Sequence, residues 1–179
     1  MQIGYHALCV WAIWKNWNKI QPLLAWTPDS GKWSLGLSLV IVSGMVVFAR
    51  IWDPRVLRLP MTGTLFPRGY EPRMFAVIAA FTMLIHTPLE ELYWRGAAMD
   101  AASPRSAVWG SIFFFYWLHA GPLYFLMGTR GLWLALPTAF AGGVWALSTL
   151  RTKNIWPALI SHWAAEVAIL YGVLRYLRP

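Results

Sequence analysis

Residues 74–94 read MFAVIAAFTMLIHTPLEELYW, an apolar run that closes on two consecutive glutamates, Glu90 and Glu91. A bilayer core takes about 20 predominantly apolar residues in a helix, so this stretch is predicted to cross a membrane. The pair of acids at its far end is then the anomaly. A charged side chain at membrane depth costs on the order of 2.5 to 3.5 kcal/mol even on lenient insertion scales, and function is the default reason for keeping one.

Four further stretches have the same character: residues 33–49 between Lys32 and Arg50, 106–129, 131–150 between Arg130 and Arg151, and 155–174. His119 falls near the centre of the second of these, and His162 and Glu166 lie in the last. Residues 3–14 form a shorter uncharged run before Lys15, below the length of a span. The following Lys15-Asn16-Trp17-Asn18-Lys19 mixes cations with tryptophan as a membrane interface does, so an interfacial helix and a tilted sixth span are both open. No basic n-region or small-residue cleavage site marks a cleavable signal peptide. The expected architecture is an all-α, polytopic transmembrane bundle of five firm spans plus that N-terminal helix. It forms a single integral membrane domain over residues 1–179, with 1–32 as the membrane-associated segment and 33–174 as the bundle.

Composition points the same way. Of 179 residues, 58% are hydrophobic and 12% charged, which excludes an ordinary soluble domain. The formal charge of +8 sets 15 Lys and Arg against 7 acids, three of which are the intramembrane ones. What lies outside the lipid is therefore basic and suited to anionic headgroups. The basic residues flank apolar spans instead of forming a stripe, which argues against nucleic acid as a partner. Cys9 stands alone in an apolar run and reads as packing. The 13 Trp read as interface belts and bundle packing, with Trp94 and Trp117 placed to shape a groove.

Within the spans, Pro88, Pro122, Pro137 and Pro157 are expected to kink helices where they are interior and to free carbonyls that neighbours or water must satisfy. Ala139 and Gly143, four apart with Gly142 beside them, allow close helix approach. Residues 50–73 carry five arginines and read as a basic surface loop, which places that loop and the C-terminus in the cytoplasm.

The chemistry starts at Glu90-Glu91-Leu92-Tyr93-Trp94-Arg95. Residues four apart on a helix stack while neighbours point away from each other, so Glu91 can pair with Arg95 and Glu90 cannot share that arrangement. Glu90 instead lies on one stripe with His86. His119 and His162 add imidazoles from two further spans. A carboxylate and an imidazole converging on one water make a general base, and a second imidazole can donate to the oxyanion of a tetrahedral intermediate. Such a site is a peptidase without a nucleophilic side chain. Tyr93 and Tyr116 could donate hydrogen bonds there, and His6 receives no role.

The order Glu-Glu-x-x-x-Arg (Glu90, Glu91, Arg95), Phe-x-x-x-His (Phe115, His119) and a late helix carrying His162 resembles the CAAX prenyl protease and bacteriocin-processing family, over about half of the chain. The resemblance implies a membrane-embedded glutamic-type endopeptidase with an all-helical core and no cofactor or metal. By position, Glu90 and His119 would activate the attacking water, His162 and the residue four later would hold the oxyanion, and Glu91 and Arg95 would support the site. That family usually has Asn or Asp where this chain has Glu166. An ionised Glu would repel an oxyanion, so Glu166 is either protonated in its apolar setting or turned away to orient His162, and the second is expected. The small size resembles compact prokaryotic members linked to C-terminal protein sorting. It implies a protein of the cytoplasmic membrane acting on a membrane-anchored peptide, a sorting signal or CAAX-like tail, close to its transmembrane segment.

Three other readings fit the same residue types. Zinc could be held by His119, His162 and the acids, although no His-Glu-x-x-His helix is present. A transporter or proton relay would also keep acids and histidines in the membrane, although no internal repeat is visible. An inert scaffold binding membrane partners is the third.

Overall fold

The structure, a computed structural model, describes residues 2–51, 72–99 and 103–177. Most of the arginine-rich connection expected at 50–73 lies outside the described residues. Those described are helical, with no strand among them. Helix α1 (Gln2–Lys15) and the short α2 (Trp17–Ile20) lead through a 3-10 turn, Gln21–Leu24, to α3 (Pro28–Ile51). Helix α4 (72–98) is followed by α5 (Pro104–Met127), α6 (Thr129–Leu134), α7 (Leu136–Thr152) and α8 (Trp156–Leu177).

At 1.5 Å per residue the 14 residues of α1 reach about 21 Å, short of a bilayer core, whereas α3, α4, α5 and α8 each exceed 30 Å. Among the described residues two stretches combine the length and hydropathy of a span, Pro28–Phe48 and Thr129–Thr152. The other long helices are diluted by the side chains that interest us, histidine and glutamate, and by Trp, Tyr, Gly, Ser and Pro, which hydropathy credits little. Five spans therefore do not follow from hydropathy alone.

The ends of the helices have local causes. Ser103 caps α5 by accepting from the Ser106 amide at 3.2 Å, with Pro104 at the first helical position where its missing N–H costs nothing. Gly128, at φ 61°, ends α5 in a backbone region open to glycine. The fourth predicted span is broken at Ala135, because Pro137 cannot donate into the preceding turn; Pro137 and Pro157 begin helices instead of kinking them. Pro88 behaves otherwise. It sits inside α4 directly after a π-helical turn, Thr82–His86. In that register the amide of residue 88 would serve the carbonyl of Met83, and proline has no amide. The Trp163 indole fills the gap, donating to the Met83 carbonyl at 2.7 Å.

Two cores result. One joins α1 and α2 to α4 and the start of α8 through Cys9, Ile13, Ile20, Ala97, Ile155 and Leu159. It is sealed by long-range bonds at the head of α8. The Asn154 side chain donates to the Ala25 carbonyl, the Trp156 indole to Leu24 at 2.8 Å, and the Ile155 amide to Leu23 at 3.0 Å. The other core, with Ile41, Phe115, Ala141, Trp145, Ala158 and Ala165, lies between α3, α5, α7 and α8. Here α5 and α7 approach closely because of glycine, as the Ala139-to-Gly143 spacing anticipates. A Cβ on Gly142 would stand 2.8 Å from that of Phe115, and one on Gly143 2.8 Å from Ile112.

Candidate active site

Glu91, Arg95 and His162 form the buried centre of the molecule, with Glu91 0%, Arg95 1% and His162 5% exposed. One turn of α4 separates Glu91 from Arg95, and Oε2 lies 3.2 Å from Nε. The other carboxylate oxygen, Oε1, accepts from His162 Nδ1 at 2.8 Å, tying α4 to α8. Buried charges persist only when partnered, and Arg95 has the Glu91 carboxylate, one backbone carbonyl and two aromatic rings around it, while its Nη1 makes no hydrogen bond. Its Nη2 donates to the Gly142 carbonyl at 3.3 Å, and its guanidinium carbon stands 4.5 Å from the ring centre of Phe115 and 5.5 Å from that of Trp145.

Those two rings also set the histidines. Trp145 stacks on His162 at 4.2 Å with planes 20° apart, and its indole donates to Ser161 at 2.8 Å. Phe115 stacks on His119 at 6.0 Å, and its carbonyl accepts from His119 Nδ1 at 2.8 Å. A carbonyl can only accept, so the proton of His119 is on Nδ1 when the ring is neutral, and Nε2 is left as a base. Likewise Nδ1 of His162 is committed to Glu91, and Nε2 is the nitrogen left over.

His119, His162 and Glu166 line one cavity of about 410 Å³. Its remaining wall is chiefly apolar, from Val40, Ile41, Met45 and Phe48 on α3 and Phe140 and Trp145 on α7. Glu166 Oε1 lies 3.7 Å from His162 Nε2, an electrostatic approach longer than a hydrogen bond. The carboxylate that orients His162 by a hydrogen bond is Glu91.

Glu90 faces elsewhere. Rotated about 100° from Glu91, it looks toward α1 and is absent from the wall of that cavity. Its Oε1 accepts from the Tyr5 hydroxyl at 3.1 Å and lies 3.6 Å from His86 Nε2, the neighbour on its own stripe. The Trp94 indole donates to Tyr5 at 3.1 Å, and His6 Nε2 meets His86 Nδ1 at 3.0 Å. No direct hydrogen bond or ion pair joins Glu90 to His119. The six motif residues are therefore distributed over two neighbouring clusters: His119, His162 and Glu166 line the cavity, with Glu91 and Arg95 joined to them through His162, and Glu90 lies on the side of α1.

Sequence alone assigns no role at the site to Tyr5, His6 or Trp145. Tyr5 and His6 are polar side chains in an otherwise apolar N-terminal run, which is the one signal they offer. Among the described residues no three His, Cys, Asp or Glu side chains are grouped as metal ligands.

A family model described as Type II CAAX prenyl endopeptidase Rce1-like matches residues 72–168, more than half of the chain and all six motif positions. No curated protein and no solved structure matches it. On that match, the chain, with its buried Glu-Arg-His centre, belongs to the Rce1-like family of type II CAAX prenyl endopeptidases, membrane hydrolases that cut peptide bonds.

Proposed function

We propose that the chain is a glutamic-type intramembrane endopeptidase that hydrolyses a peptide bond in a membrane-anchored protein through water activated by Glu90 and His119. The observation that carries this reading is the cavity in which His119, His162 and Glu166, from two helices, share one mostly apolar hollow, with His162 bonded to the buried Glu91-Arg95 pair. Polar reacting groups in a dry pocket are what hydrolysis next to a lipid-embedded segment requires.

In this mechanism Glu90 and His119 make no direct bond, and both act on the attacking water. Its oxygen attacks the carbonyl carbon while its proton passes to the base. The tetrahedral oxyanion is held from His162 Nε2, which needs a proton there because Nδ1 belongs to Glu91. When the C–N bond breaks, the proton returns to the leaving amine, so hydrolysis ends with the base regenerated. Glu166 turns toward His162 and sets the charge at that nitrogen. Glu91 and Arg95 hold α4, α7 and α8 in register.

The reading includes a single integral membrane domain with five spans in the cytoplasmic membrane of a prokaryote. Exposed apolar side chains on every long helix support it: Leu35 on α3, Leu84 on α4, Phe125 on α5, Phe140 on α7 and Tyr171 on α8 are each more than 60% exposed, as lipid-facing residues are. The substrate class is a C-terminal sorting signal or CAAX-like tail. The test uses purified protein in liposomes with two reporters, a prenylated C-terminal tail and an unmodified membrane-spanning peptide. Cleavage of either, persisting in strong chelator, is the expected result. Cleavage abolished by chelator and restored by zinc would replace this reading with a metalloprotease.

A further inference from the structure

Glu90 has only one oxygen to offer. Oε1 is held by the Tyr5 hydroxyl at 3.1 Å and crowded by His86 Nε2 at 3.6 Å. Oε2 has no hydrogen-bond partner and is not among the polar atoms sealed from solvent-sized space. A free carboxylate rotates and presents either oxygen, whereas this one is pinned along a chain of donors. The Trp94 indole donates to Tyr5 at 3.1 Å, which aims the Tyr5 hydroxyl proton at Glu90. Behind His86, His6 Nε2 closes the cluster at 3.0 Å. Tyr5 and His6 both come from α1, well before the family match begins at Pro72, so this arm is supplied by a part of the chain that the family model does not cover.

We propose that Tyr5 is a positioning residue that locks Oε1 of Glu90 and leaves Oε2 as the oxygen that takes the proton from water, so that α1 completes the active site. This rests on Glu90 being the activating carboxylate. A hydrogen bond to one carboxylate oxygen restrains rotation about the Cγ–Cδ bond, because a charged acceptor binds its donor more tightly than a neutral one. Preorganisation of this kind acts on turnover and leaves substrate binding alone.

The experiment compares Tyr5→Phe, Trp94→Phe and the double variant in liposomes, using whichever of the two reporters the wild-type protein cleaves. Tyr5→Phe keeps the ring in its packing and removes the donor alone. Its kcat is expected to fall roughly ten-fold or more with KM unchanged and the same thermal midpoint. Trp94→Phe is expected to lose less, and nothing further once Tyr5 is Phe, because Trp94 acts through the hydroxyl. Unchanged kcat in Tyr5→Phe beside an inactive Glu90→Gln overturns the positioning role and leaves the protease reading intact. Losses that add in the double variant, or that fall on KM or the thermal midpoint, mean a packing role and also overturn it. Full activity in Glu90→Gln removes the parent reading and this one with it.

Discussion

Oε1 of Glu91 and Nδ1 of His162 meet at 2.8 Å across 71 residues of sequence. The same carboxylate reaches Arg95 through Oε2, so one buried acid holds two basic groups on two helices. Glu91→Gln removes the charge that both of them face. The variant is expected to lose stability by about 3 to 5 kcal/mol, the usual cost of leaving a buried ion without its partner. Arg95→Ala should cost a similar amount, and the double variant less than the sum. Thermal unfolding in one detergent measures all three.

Gly142→Ala places a methyl group 2.8 Å from the Phe115 Cβ and 3.0 Å from the Ser111 carbonyl. Helices α5 and α7 must part, which moves the Gly142 carbonyl that Arg95 uses. Overpacking of this kind costs about 1 to 3 kcal/mol. Gly36→Ala, inside α3 with nothing within 4 Å, is the control and should leave the thermal midpoint unchanged or slightly raised, since alanine suits a helix interior better than glycine.

Trp163→Phe keeps a ring in place and removes the donor that Pro88 makes necessary. The Met83 carbonyl is then left without a partner, a loss of about 1 to 3 kcal/mol. Hydrogen exchange over residues 82–91 reads it locally: the π-turn before Glu90 should open faster, with little change in α5.

Glu166→Gln separates two roles for that carboxylate. As a charge set 3.7 Å from His162 Nε2, it should alter the pH profile of cleavage when neutralised. Full activity with an unchanged profile would rule out a charged orienting role.

Much of this arrangement was legible in the sequence. The apolar runs at 33–49, 74–94, 106–129 and 155–174 each fall within or largely along a single helix, since uninterrupted apolar length leaves little else to form. The Glu91-Arg95 pair follows from helical spacing alone, and so does the His86-Glu90 approach. What spacing cannot carry is contact between helices. Nothing in residues 2–15 announces that Tyr5 meets Glu90, and nothing in α4 announces that Glu91 takes His162 while Glu166 stays beyond hydrogen-bond length. The π-turn before Pro88 was hidden too, because a one-residue widening leaves apolar periodicity almost unchanged. The break at Ala135 was signalled by Pro137 and obscured by an apolar run continuous across it.

The central claim is that Glu90 and His119 together prime the attacking water. The measurement that tests it most directly is kcat for Glu90→Gln and His119→Ala on a membrane-anchored reporter, each protein first shown to keep the wild-type thermal midpoint. Each substitution is predicted to lower kcat by about a hundred- to ten-thousand-fold, with the double variant no worse than the more damaged single one. Turnover within a few-fold of wild type in either folded variant would contradict it.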